Sequence, residues 1–127
     1  MTIEEIYDTA LYLAEKTDDS TGYIDDEYKK QHRKKAEFYI KQAIRKFAHQ
    51  ENIKILDPDF LYPQDNIPLD NYILKNIIPC YVGAMLCAQD RENDKYNLLI
   101  YEYQRMCETY KCDEEEMETD SILEGMC

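Results

Sequence analysis

The sequence predicts an all-α fold, a small bundle of four to five helices, and three observations predict it. Glycine and proline together number only seven of 127 residues, too few for the many tight turns of a sandwich or barrel. Apolar residues recur at three- and four-residue spacing along most of the chain, which is the period of an amphipathic helix. Capping residues stand where each such run begins. A chain of this length fits one domain, which buries about two thirds of the surface its unfolded form exposes and needs no disulfide or metal staple.

The first helix is expected over residues 3–16. Thr2 and Glu5 make the Thr-x-x-Glu pair of a capping box, and Ile3, Ile6, Tyr7, Ala10, Leu11 and Ala14 share one face. Asp18 to Gly22 is a turn cluster. After it, Tyr23 and Ile24 are expected to fold back onto the core, and Asp25 or Asp26 to cap a second helix over residues 26–48. Ala36, Tyr39, Ile40, Ala43 and Phe47 form its packing stripe, while Lys30, Lys34, Lys41 and Arg45 form a cationic stripe on the far side.

Residues 50–67 read as a long loop, which in a small domain is usually functional. Pro58, Pro63 and the bordering Pro68 punctuate it, Ile53 and Ile55 alternate like a strand, and Phe60, Leu61 and Tyr62 look exposed. A third helix over residues 70–76 is expected to break at Ile78-Pro79. The residue before a proline is driven out of helical geometry, and an interior proline costs about 3 kcal/mol. Pro79 then suits the start of a new segment to about Gln89, where Gly83, Ala84 and Ala88 leave a small-residue surface for another helix. Asn93 is expected to cap a last helix, along which Tyr96, Leu99, Ile100, Tyr103, Met106, Cys107 and Tyr110 keep the helical period. Past residue 112 the pattern dissolves. The organisation is therefore a helical domain over 1–112 and an acidic tail over 113–127, expected to order only on binding, with Ile122, Leu123 and Met126 as a short apolar anchor.

The net charge of −12 is unevenly placed: residues 113–127 hold seven acidic and no basic residues, whereas residues 29–46 hold eight basic residues against Glu37 alone. The total weighs against tight binding to free DNA. The cationic stripe is the best nucleic-acid candidate, since lysines and arginines on phosphates give salt-dependent, sequence-independent affinity. No helix-turn-helix spacing or base-reading side chain accompanies it, and the alternative is a solvated face that balances acids on a neighbouring subunit. No apolar run approaches 18 residues and no signal-like start is present, so no membrane partner is expected and synthesis is expected in the cytoplasm. The five cysteines, odd in number and mostly in apolar helical context, suit reduced buried thiols better than a disulfide framework.

No catalytic constellation stands out, and neither a cofactor nor a metal is expected. His32 and His49 are the only histidines, with no nucleophile in recognisable register. Cys107-x4-Cys112 is the nearest approach to a zinc pair, at the wide limit of the usual spacing and with no second ligand pair in register. Cys80 and Cys87, seven residues apart on one helix face, are separated by about 10 Å along the axis. Three glycines cannot build a phosphate loop, and Asp25-Asp26-Glu27 lacks the spacing of a calcium loop. Of twelve tyrosines, Tyr39, Tyr96, Tyr103 and Tyr110 fall on apolar stripes, while Tyr7, Tyr12, Tyr62, Tyr72 and Tyr101 exceed the needs of one core and favour interfaces.

The order of an acidic-amphipathic helix, a basic helix, a Pro-rich loop, Ile67-Pro68-Leu69-Asp70, Ile78-Pro79-Cys80-Tyr81-Val82-Gly83-Ala84-Met85-Leu86 and a tyrosine-rich helix resembles the head-tail connector (neck adaptor, head-completion) proteins of tailed bacteriophages, over roughly residues 3–110. The resemblance implies a non-enzymatic virion protein at the head-tail interface. It implies copies joined in a ring, twelvefold in such proteins, with the portal protein on one side and the next neck or tail-completion protein on the other. Double-stranded DNA would pass through the channel without sequence-specific binding. On this resemblance Phe60, Leu61 and Tyr62 would reach a neighbouring subunit or the channel. Asp113, Glu114, Glu115, Glu116, Ile122 and Leu123 would engage portal or neck partners, although an acidic tail is not part of the family pattern. Two other classes compete: an acidic DNA-mimic inhibitor, and a small DNA-associated regulator using Lys30, Lys34, Lys41 and Arg45.

Overall fold

The computed structural model describes residues 1–53 and 57–119, with the side chains of Phe60 and of residues 111–119 outside the description. Among the described residues the chain is all-α, with four α-helices and no strand: α1 (Ile3–Leu13), α2 (Asp26–Gln50), α3 (Ile78–Gln89) and α4 (Asn93–Thr119). A 3-10 turn (Pro58–Phe60) interrupts the long loop, and a π-turn (Ile73–Ile77) leads directly into α3.

Side-chain contacts give the helix directions. Glu4 meets Arg33 and Tyr7 meets Lys29, so α1 and α2 are antiparallel. Tyr28 meets Asp90 and Gln42 meets Tyr81, which makes α3 antiparallel to α2. Cys80 meets Leu99 and Tyr72 meets Tyr110, so α4 turns back again. Helix α3 packs against all three of the others. Its Ile78, Cys80, Val82, Gly83, Ala84, Leu86 and Cys87 are buried round most of its circumference, as a helix sheathed by neighbours must be. The principal core joins Ile6, Tyr7 and Leu11 of α1, Ile40 and Ile44 of α2, and Ile73, Leu74, Ile77, Ile78, Val82 and Leu86 around α3.

The expected break at Pro79 does not occur. Ile78 keeps helical dihedrals (φ −63°, ψ −46°), and its N–H bonds to the Ile73 carbonyl across the π-turn. A proline ring clashes with the carbonyl four residues back; the wide turn just ahead of Pro79 relieves that clash and lets the helix bend without stopping. Gly83 meets the expected close approach: an added Cβ would lie 3.2 Å from the Ala10 carbonyl of α1. Ala88, in contrast, is exposed.

Helix ends follow local chemistry. The Thr2–Glu5 capping box is present, and the Asp25 carboxylate accepts from the Glu27 and Tyr28 amides. Asn93 is the first residue of α4 and not its cap. Three helices end in a left-handed residue that is not glycine: Glu15 (φ 58°), Asn52 (φ 61°) and Arg91 (φ 61°). In each, the next N–H reaches back five residues: Lys16 to Leu11, Ile53 to Ala48 and Glu92 to Cys87, the Schellman pattern. This turn ends α1 at Leu13, before the residue 16 expected from periodicity.

Tyr7 is a core residue, 1% exposed, whose hydroxyl donates to the Lys29 carbonyl at 2.7 Å, and not a surplus surface aromatic. Tyr23 is exposed and only Ile24 packs inward. Part of the long loop is tied down: the Glu4 amide, one of the orphan donors of α1, donates to the Pro63 carbonyl, and the Ile67 amide donates to the Met1 carbonyl. Ile55 lies outside the described residues. Helix α4 extends through Thr119, past the boundary expected at residue 112; the remaining residues 120–127 lie outside the description.

Candidate functional site

Periodicity along α2 separates its two faces. Ala36, Ile40, Ala43, Ile44 and Phe47 are buried. About 130° away round the helix, Lys30, Lys34 and Arg45 are exposed and Lys41 is half-buried, so the four basic residues singled out in the sequence do share one surface. Arg45 is not free, because its guanidinium lies 2.5 Å from the Asp59 carboxylate of the 3-10 turn. Two other cations of the same segment turn toward α1. Arg33 pairs with Glu4 at 2.7 Å, and Lys29 pairs with Glu4 and Asp8 at 2.9 and 2.6 Å. The Arg33 hydrogen bond, working against burial and helped by Lys29, holds the Glu4 carboxyl down to about 2.

The loop residues divide. Leu61 packs onto the core of its own chain, while Tyr62 is 68% exposed. Phe60 belongs to the 3-10 turn by its backbone, and its side chain lies outside the described residues. Asp113, Glu114, Glu115 and Glu116 lie within the backbone span of α4 with side chains outside the description, and Ile122 and Leu123 lie outside it altogether.

A second polar cluster joins three elements at one end of the bundle. The Lys16 side chain, 9% exposed, reaches Asp90 at 2.8 Å and also pairs with Glu92. The Tyr28 hydroxyl donates to Asp90 at 2.6 Å, and His32 stacks on Tyr28 with centroids 3.9 Å apart. Burial pushes the Asp90 and Glu92 carboxyls up, but their hydrogen bonds from Lys16, with Tyr28 and Lys95 adding to one each, hold both below the ordinary range. Burial, reinforced by the Asp90 carboxylate, raises the Tyr28 phenol well above its ordinary range. These groups satisfy one another, so the cluster acts as an electrostatic clip between the α1 end, the α2 start and the α3–α4 turn. His49 is exposed in the last turn of α2.

A cleft of about 320 Å³ lies between α2, α3 and α4, lined by Gln42, Ala43, Lys46, Tyr81 and Tyr103. Its polar groups are paired: Lys46 donates to the Tyr103 hydroxyl at 2.9 Å, and Tyr81 donates to Gln42 at 3.1 Å. The thiols of Cys80, Cys87 and Cys107 are all pushed up, chiefly by burial, Cys80 to about 11, so they stay protonated and poorly nucleophilic. Among the described residues no group of His, Cys, Asp and Glu is arranged to hold a metal ion, and no helix is long and apolar enough to cross a membrane.

Two features escape a reading of the sequence. The Lys16 clip spans 76 residues in sequence, and nothing local announces it. Phe38, 60% exposed on the cationic side of α2, does have a signal: it falls on the polar stripe, off the apolar one. Comparison with known proteins finds no matching family, no matching curated protein and no matching solved structure.

Proposed function

We propose that this chain is a non-catalytic structural protein of the phage neck, forming a ring that joins the portal to the tail and extends the DNA channel. The observation that carries the proposal is the order of elements: acidic-amphipathic α1, basic α2, a Pro-rich loop, the Ile67-Pro68-Leu69-Asp70 entry and the Pro79 helix, then tyrosine-rich α4. Supporting it, the Lys16, Lys29, Arg33 and Arg45 side chains are engaged in structural ion pairs, and the exposed surface offers assembly-type features. Tyr12, Tyr62 and Tyr101 are each at least half exposed, and amphipathic aromatics of this kind favour protein contacts. Opposite charge on separate elements suits head-to-tail contacts between copies, which close into rings. The partners of this reading are further copies, the portal protein and the next neck protein, with duplex DNA sliding past acidic surface.

The test is to fractionate particles from producing cells on a density gradient and quantify the protein in capsid and tail fractions by mass spectrometry. Several copies per DNA-filled head, together with portal protein, are expected. Confinement to the soluble fraction overturns the proposal. One observation favours a second reading: the exposed lysines around Phe38 would also suit a DNA-associated regulator, whose duplex affinity falls steeply with salt.

A further inference from the structure

The solvent face of α2 presents one aromatic ring inside a frame of positive charge. Phe38 is 60% exposed. Its helical neighbours at three and four residues on either side, the positions that touch on a helix surface, are Lys34, Lys35, Lys41 and Gln42. Among the described residues these three lysines have no carboxylate within ion-pair distance, while Glu4, Asp8, Glu37 and Asp59 pair with Lys29, Arg33 and Arg45. An apolar anchor within a charged rim has the anatomy of a binding spot, and the chemistry it fits is an acidic segment carrying an aliphatic side chain. Residues 113–127 of this chain have that chemistry: seven acidic residues, no basic ones, and Ile122, Leu123 and Met126.

We propose that residues 113–127 of one copy dock on the Phe38 face of α2 in a second copy. The geometry excludes the same chain. Lys46 meets Tyr103 and Glu51 meets Tyr110, so α4 runs parallel to α2 and continues past its end. Phe38 lies about 20 Å behind Glu51, and Thr119 about 14 Å ahead of Tyr110, at 1.5 Å per helical residue. The remaining eight residues span at most about 28 Å when fully extended, short of the roughly 33 Å needed along the axis alone. A copy cannot reach its own face but can reach a neighbour's. Donor and acceptor surfaces differ, so the contact is heterologous and propagates from copy to copy. The inference rests on the neck proposal for the ring this contact serves, and names the surface through which the copies join.

The experiment uses two full-length charge-reversed variants, one with K34E, K35E and K41E in α2, the other with E114K, E115K and E116K. Sedimentation velocity is run on the wild type, each variant and their equimolar mixture, with circular dichroism confirming the folded state. The wild type is expected to self-associate, and association should weaken at least about tenfold between roughly 50 and 500 mM salt, where screening shortens from about 14 to 4 Å. The α2 variant sets acid against acid, and the tail variant cuts the net charge of residues 113–127 from −7 to −1, so each alone should be monomeric at concentrations where the wild type associates. Their mixture pairs the unaltered tail of the α2 variant with the unaltered lysines of the tail variant and should associate as a pair. F38S should weaken association without altering its salt dependence. Wild-type chains that stay monomeric, variants that associate unchanged, or a mixture that fails to recover overturns the inference. So does loss of duplex DNA binding in the α2 variant with self-association intact, which would give the face to phosphate. If the variants fail these tests while the wild type still sediments with particles, the docking inference falls and the neck proposal stands.

Discussion

Replacing Lys16 with methionine should destabilise the fold by about 2 kcal/mol at neutral pH. Methionine keeps the unbranched length of the side chain and removes only its charge and hydrogen bonds. Breaking a buried ion pair costs roughly 3–5 kcal/mol because a charge is stranded, whereas an exposed pair is worth about 0.2–1 kcal/mol. Lys16 is 9% exposed but its partners Asp90 and Glu92 are 23% and 31% exposed, which places the cost between those limits. With an unfolding entropy of about 2.1 cal/mol/K per residue, the midpoint should fall by about 7 °C. The pH dependence separates this charge effect from lost packing. Asp90 and Glu92 are held below their unfolded values by hydrogen bonds from Lys16, against burial. Their contribution is therefore complete above the ordinary carboxylate range and is lost as pH falls through it. The gap between wild type and Lys16→Met should shrink steadily from pH 6 to about pH 2 in urea unfolding followed by circular dichroism. A cost under about 0.5 kcal/mol at pH 7, or a gap that stays constant into acid, would refute the clip.

Glu4→Gln should flatten the acid limb of the stability curve: the Glu4 carboxyl is held at about 2, so its contribution is present above about 4.5 and vanishes as pH falls toward 2, with an amplitude discounted to about 1 kcal/mol because the side chain is 36% exposed. Gly83→Val should cost more than about 2 kcal/mol by forcing α1 and α3 apart; Gly83→Ala, with the Ala10 carbonyl at 3.2 Å from its new Cβ, should fall within about 1 kcal/mol of wild type because helix propensity offsets the tight contact, and thermal melts of the two variants check the order. Arg91→Gly should stabilise by about 1 kcal/mol by relieving the left-handed backbone at φ 61°, read as a raised melting temperature.

Short-range chemistry made the first half of the fold legible. The Thr2 box, the Asp25 cap and the apolar stripes of α1 and α2 act within four residues, and their spacing alone places them. Pro79 misled because its local rule is sound but incomplete: the chain answers the clash by widening the preceding turn, a solution invisible without coordinates. Tyr7 stood both on the apolar face of the first helix and among the surplus tyrosines; the helical period decided correctly, while nothing in the sequence reveals that the Lys29 carbonyl accepts from its hydroxyl. The ends of α1, α2 and α3 use Glu15, Asn52 and Arg91 where glycine is usual, so searching for glycine could not find them. Of the candidate surface, the lysine stripe was visible from periodicity, whereas the removal of Arg45, Lys29 and Arg33 into ion pairs depended on tertiary partners.

The sheathing of α3 divides the molecule by evolutionary freedom. A helix enclosed on nearly every side accepts few replacements, because each neighbour must move to admit them. It also offers little to a partner. Whatever this protein recognises must be met by α1, α2, α4 or the loops, whose outer residues can be rewritten without disturbing the spindle they surround. Drift in partners should therefore recolour the outside of this chain while leaving the buried positions among residues 73–87 nearly still, and a distant relative is better sought through those apolar positions than through its charged faces.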